Sequence, residues 1–302
     1  MTEQLLRQVR IALQNGDIPT AIDGLERAAV AASEAGDHAS EGRHLGNLGL
    51  LYRRIGMKEE ALIAFHRALL SARADGDRLT ESGLLGNMGN ILREIGRYDD
   101  AVTHLGQALT LAQAVDDQRG RGIWLANLGL VYDDLRRPED AIPLHEESVT
   151  LARTFRDQRG LAARLSNLGN SYVTLNQLEA AIPLFEEAAL LFRDLGDKNA
   201  LAQRLGVIGN LYATLGRATK SRRAQLDFFR KALDHYQRTL TLAREINDPV
   251  SAAELLRALG SLRLDVGDRE GALADFERAV TLYTTLGLTD SAAAIRALME
   301  DE

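Results

Sequence analysis

The 302-residue chain has no cysteine, five prolines, one tryptophan and 5% aromatic residues. Without cysteine there is neither a disulfide framework nor a thiolate metal site, and a reducing compartment is the expected setting. No apolar run approaches the roughly 18 residues that a membrane-spanning helix requires. The opening string MTEQLLRQVR lacks the apolar stretch of a secretory leader. A soluble, cytoplasmic protein is expected. Signatures of chemistry are missing too: there is no phosphate-binding loop, no dinucleotide fingerprint in strand context and no HExxH. The histidines (His38, His44, His66, His104, His145, His235) form no i,i+4 pair. No catalytic residue, metal site or cofactor is expected, and an enzyme is the least expected class. A net charge of -7 weighs against nucleic acid as a partner.

What the chain has instead is a period. Gly46-Asn47-Leu48-Gly49 recurs as Gly86-Asn87-Met88-Gly89, Ala126-Asn127-Leu128-Gly129 and Ser166-Asn167-Leu168-Gly169, with a degraded copy at Gly206-Val207-Ile208-Gly209. The last glycines lie forty residues apart. In the same register come an aromatic (Tyr52, Tyr132, Tyr172, Tyr212), a turn glycine (Gly56, Gly96, Gly216), an alanine (Ala61, Ala101, Ala141, Ala181) and a closing aspartate (Asp37, Asp77, Asp117, Asp157, Asp197). A period of this length marks a repeat architecture. Within one unit, Leu45, Leu48, Leu51, Tyr52 and Ile55 follow helical spacing. Gly56 then ends the helix, and a second helix follows from Lys58 with Ala61, Leu62, Phe65, Ala68 and Leu69 inward. A mid-helix glycine costs about 1 kcal/mol against alanine, so one kept at the same place in successive units points to close helix packing.

About fifteen helices and no sheet are predicted. They are read as one solenoid over 1–302, with repeats at 1–37, 38–77, 78–117, 118–157, 158–197, 198–248 and 249–287. A capping helix at 289–302 would place Ala292, Ile295 and Leu298 on one face. Gly209 to Gly260 exceeds the period by 11 residues, which is close to three helical turns. This insertion falls within 217–231, a basic stretch expected to lengthen the second helix. Arg222, Arg223, Phe228 and Phe229 there are candidates for a docking element, with a solvated helix extension or loop as the alternative.

The Asn-Leu-Gly motif, followed by Tyr, Gly, Ala and an aromatic at these offsets, resembles the tetratricopeptide repeat family. The 40-residue length is similar to the long-repeat Pins/LGN-like and kinesin-light-chain-like arrays. The resemblance implies an all-α, right-handed superhelical solenoid whose concave groove is lined by first helices. It also implies that the asparagine ahead of the Leu-Gly pair holds the backbone of an extended peptide. The matching residues are Asn47, Asn87, Asn127 and Asn167, whose amides offer both donor and acceptor. Arg43, Arg53, Arg54 and Arg93 are expected on the same face, and an acidic peptide segment is expected over them. The function so implied is a protein-interaction scaffold or adaptor. Alternatives are the sensor arm of a signalling NTPase or caspase-like protease, and a peptide-pheromone receptor.

Overall fold

The computed structural model describes residues 2–300. Residue 1 of the expected first repeat and residues 301 and 302 of the expected cap lie outside the described residues. The chain forms two compact units, Met1–Phe155 and Arg156–Glu302. Unit 1 contains α1 (Thr2–Asn15), α2 (Ile18–Glu34), α3 (His38–Arg54), α4 (Lys58–Asp75), α5 (Arg78–Glu94), α6 (Tyr98–Ala114), α7 (Gln118–Asp134) and α8 (Pro138–Thr154). Unit 2 contains α9 (Gln158–Thr174), α10 (Leu178–Asp194), α11 (Lys198–Ala218), α12 (Arg222–Glu245), α13 (Pro249–Val266), α14 (Arg269–Thr285) and α15 (Thr289–Glu300). The described residues hold no strand. The fold class is the expected one, an all-α solenoid of helix-turn-helix repeats, and α15 closes unit 2 against α14.

The turns explain the period. Gly56, Gly76, Gly96 and Gly196 take positive φ, between 71° and 83°, a region glycine enters without steric cost. Arg136 and Asn176 hold the same conformation at the equivalents of Gly56, with φ of 59° and 57°. The closing aspartates are N-caps: the Asp37, Asp77, Asp117, Asp157 and Asp197 carboxylates each accept from the backbone N–H three residues on. These bonds satisfy donors that a helix start leaves open. Thr80 donates to Asp77 through both its N–H and its hydroxyl, which together hold the carboxyl below the usual Asp range. Asp77→Ala is expected to cost about 1 kcal/mol, within the range for lost caps, read by urea titration. The carboxyls of Asp17, Asp37 and Asp248 are lowered by their bonds to Thr20, Ser40 and Ser251, and that of Asp268 by the Gly271 N–H and the Arg263 guanidinium. Their contribution is therefore complete above the ordinary Asp pKa and is lost as pH falls through the lowered folded values. Melting at pH 7, 4 and 3 should show the loss between the last two points.

Close packing accounts for the mid-helix glycines. A Cβ on Gly49 would lie 2.7 Å from the Phe65 ring, on Gly89 2.6 Å from Leu105, and on Gly169 2.8 Å from Phe185. The position opposite is filled by His145 over Gly129, Tyr236 over Gly209 and Phe276 over Gly260. Gly86 is a second kind of contact. It faces Trp124 of the following first helix, whose ring occupies the space of the missing Cβ.

Two expectations about unit 2 are corrected. The 11-residue insertion does not lengthen the second helix alone. α11 runs 21 residues and α12 runs 24, where α3 and α4 of a regular hairpin run 17 and 18. Gly216, expected in the turn, lies inside α11 without positive φ and packs on Phe229. The reason is a second glycine–aromatic layer: Gly216 lies seven residues after Gly209, and Phe229 seven before Tyr236, so each ring meets its own glycine along one hairpin. In α15, Ala292 and Ile295 are buried, but Leu298 is 49% exposed. The inward face turns instead through Met299, four residues after Ile295.

Candidate functional site

The first helices of unit 1 set the site. Asn47, Asn87 and Asn127 lie two residues ahead of Gly49, Gly89 and Gly129, which press on their own second helices. Two residues are about 200° of helical turn, so the asparagines face away from that contact. Asn47 is exposed, and Asn87 and Asn127 are half-buried. The Asn87 amide is held from both ends. Its Nδ2 donates to the Gly83 carbonyl at 2.9 Å, and its Oδ1 accepts from Arg53 Nη1 at 3.3 Å. An amide has two donors and two lone pairs, so one of each stays open to a ligand. Asn167, in unit 2, occupies the same register of α9 and is half-buried.

Two of the four arginines expected on this face are paired. Arg53 reaches Glu94 at 3.8 Å, and Lys58 reaches the same carboxylate at 3.3 Å. Arg93 donates to Asp134 at 2.9 Å. Each arginine is thus paired with an acid of the next first helix. Asp133, beside Asp134 on α7, lies 3.0 Å from Nε2 of the fully buried His145. Arg43 donates only to the Ser40 hydroxyl, and Arg54 is exposed without a carboxylate partner among the described residues.

Apolar side chains that sequence reasoning passed over lie between the amides. Leu50 is 47% exposed and Ile123 45% exposed. Leu130 is half-buried. Leu50 and Leu130 follow Asn47 and Asn127 by three residues, and Ile123 precedes Asn127 by four, so each shares a helix face with an asparagine. The signal was available in the register: Ile123 stands where Arg43 and Gly83 stand in the two preceding repeats.

The docking candidates of the insertion separate. Arg222 and Arg223 are exposed, the former bonded to Gln225. Phe228 stacks on Tyr212 with ring centroids 6.2 Å apart, and Lys231 lies over both rings. Phe229 is 1% exposed and belongs to the core, so it offers no docking surface. Among the described residues no group of three or more His, Cys, Asp or Glu is placed to hold a metal ion. No helix there is long and apolar enough to cross a membrane.

Profiles of the tetratricopeptide repeat match residues 45–79, 80–154 and 161–195. Among curated proteins no sequence match was found. A tetratricopeptide-repeat signal transduction ATPase from Pyrococcus horikoshii, of the class with numerous domains, is 15% identical with a TM-score of 0.74. The alignment covers 96% of this chain and 44% of the ATPase, less than half its length. The apo form of RapI is 11% identical with a TM-score of 0.67, over 95% of this chain and 98% of its own. A Rap protein complexed with Competence and Sporulation Factor is 14% identical with a TM-score of 0.55, over 100% and 98%. At these identities the likeness is one of fold.

Proposed function

Taking tetratricopeptide repeats over residues 45–79, 80–154 and 161–195 as the premise, we propose that this chain is a protein-interaction scaffold that binds an extended peptide on the first-helix face of unit 1. The observation that carries this reading is Asn87, an amide fixed by Gly83 and Arg53 and open to solvent on the face it shares with Asn47 and Asn127. A fixed amide loses little freedom on binding, so its hydrogen bonds count nearly in full. The likeness to a Rap protein complexed with Competence and Sporulation Factor supports the same reading.

The peptide expected here is aliphatic more than acidic. Arg53 and Arg93 already hold carboxylates, while Leu50 and Ile123 offer exposed apolar surface beside the amides. Burying each such side chain yields roughly 25 cal/mol per Å². Asn87→Ala with Asn127→Ala should weaken binding by about 1–3 kcal/mol, two hydrogen-bonding groups at 0.5–1.5 each. The measurement is titration calorimetry against the best binder from an immobilised array of random peptides, with melting curves alongside. Undiminished affinity in a folded double variant would move the site off this face.

A second reading has its own support. The fold likeness to the signal transduction ATPase spans nearly this whole chain and less than half of that protein, which fits a sensor arm serving a larger machine. Co-purification from the native host decides it: a stoichiometric NTPase partner favours the sensor, and a small peptide alone favours the scaffold.

A further inference from the structure

The repeats provide a comparison within the molecule, because each position occurs several times. Between α4, α5 and α6 lies a surface cleft lined by Arg73, Glu81, Leu85, Gln107, Thr110 and Leu111. Between α12, α13 and α14 the equivalent residues are Arg244, Ala252, Leu256, Arg278, Thr281 and Leu282. The apolar floor is alike, Leu85 and Leu111 against Leu256 and Leu282, but the charges are not. In unit 1, Arg73 is paired with Glu81 at 2.6 Å. In unit 2 that glutamate has become Ala252, and Gln107 has become Arg278. Arg244 is left exposed without a carboxylate partner among the described residues, and a second guanidinium has been added beside it.

The change goes deeper into the same cleft. A second chamber of about 390 Å³ adjoins the first, of about 400 Å³, and both are lined by Arg244 and Arg278. Arg238, Arg263 and Asp275 also line the second. Arg263 stands where the equivalent residue is the core Leu92, and Asp275 where it is His104. Asp275 is 6% exposed and lies 3.0 Å from Arg263 Nε and 3.4 Å from Arg278 Nη1. Arg263 also binds Asp268 at 2.6 Å, and Arg238 lies 3.5 Å from Asp234. A buried ion pair is weak ground for stability against apolar residues of similar size, and Leu92 shows that an apolar residue suits this position. Asp275 also reaches one edge of the Arg278 guanidinium, whose side chain stays exposed to the cleft. Guanidinium groups take carboxylate and phosphate oxygens in forked pairs. The first chamber adds an apolar wall of Ala243, Ala252, Leu256 and Leu282, at a volume typical of small-ligand sites. Its one carboxylate, Asp248, caps α13 by accepting from the Ser251 N–H.

We infer that this cleft binds a small amphiphilic anion, an aliphatic chain ending in a carboxylate or a phosphate. The head group sits between Arg244 and Arg278, and the chain lies along Ala252 and Leu256. The site is separate from the amide face of unit 1 and does not rest on the peptide reading.

The test is titration calorimetry of the full chain with hexanoate, hexyl phosphate, hexanol and inorganic phosphate. One equivalent of a hexyl anion should bind, and the tighter of the two identifies the head group. Hexanol and inorganic phosphate should each bind at least tenfold more weakly, because each lacks half of the recognised chemistry. Arg244→Gln with Arg278→Gln should lower affinity for the hexyl anion at least tenfold. Gln107 shows that glutamine is accommodated at the second position, and melting curves check the fold. Should the double variant not fold, each single substitution gives the same comparison. Arg73→Gln, in the equivalent cleft, should leave affinity unchanged. No anion binding up to millimolar concentration, equal binding of hexanol, or undiminished binding in the folded variants would overturn the inference.

Discussion

Phe229→Ala is expected to destabilise unit 2 by about 3–5 kcal/mol, the range for emptying a core phenylalanine site. The ring is 1% exposed and lies on the bare backbone of Gly216, so little can move in to fill the void. Chemical denaturation followed by far-ultraviolet circular dichroism reads the effect. A loss below about 1 kcal/mol would return Phe229 to the surface role suggested by its sequence context. Deleting residues 218–228 should be far milder than this one substitution. The deletion joins Leu215-Gly216-Arg217 to Phe229, which reproduces the local order Ile95-Gly96-Arg97-Tyr98 of a regular turn. Gly216 would then take the positive φ seen at Gly96, and Tyr236 would stay over Gly209. The shortened protein should unfold in a cooperative transition, whereas the full-length Phe229→Ala protein should be strongly weakened.

Trp124→Ala should cost unit 1 a similar amount, about 3–5 kcal/mol. Two losses combine there. The ring fills the space that Gly86 leaves open between successive first helices. Its Nε1 also donates to the Ser82 hydroxyl at 3.2 Å, and that hydroxyl donates to the Ala108 carbonyl at 2.8 Å. Trp124→Phe keeps most of the volume and removes only the hydrogen bond, so about 1 kcal/mol is expected. Gly86→Leu alone should be destabilising through overpacking. Combined with Trp124→Ala it should recover part of the loss, because the new side chain enters the emptied space. A double-mutant cycle measures that coupling, and additive losses would separate the two residues.

The helices were legible because one glycine kept at forty-residue intervals has a single good physical reason, a bulky side chain pressed against it. Gly49 with Phe65 and Gly169 with Phe185 follow from that reasoning directly. The insertion was legible as a count and not as a shape. Eleven extra residues do not say where the chain reverses, and Gly216 resembles a turn glycine until Phe229 is seen against it. The asparagine positions were readable from register. The charges were not, because Arg53 with Glu94 and Arg93 with Asp134 pair across 41 residues, beyond the span of one unit. Side chains of neighbouring repeats meet at nearly the repeat period, so an arginine that looks free within its own unit can find its carboxylate in the next.

His145 has a consequence for how the chain finds its structure. Near-identical repeats present a sorting problem, since a second helix could settle on the first helix of a neighbouring repeat. At α8 the side chain entering the glycine notch is an imidazole, and it needs a polar partner once buried. Its own first helix supplies Asp133. The same position one repeat earlier is Arg93, and one repeat later Val173. A misplaced α8 would therefore set the buried Nε2 against a guanidinium or a hydrocarbon, whereas the correct first helix gives it a carboxylate. The hydrogen bond acts as an address label, marking one hairpin among several that otherwise look alike.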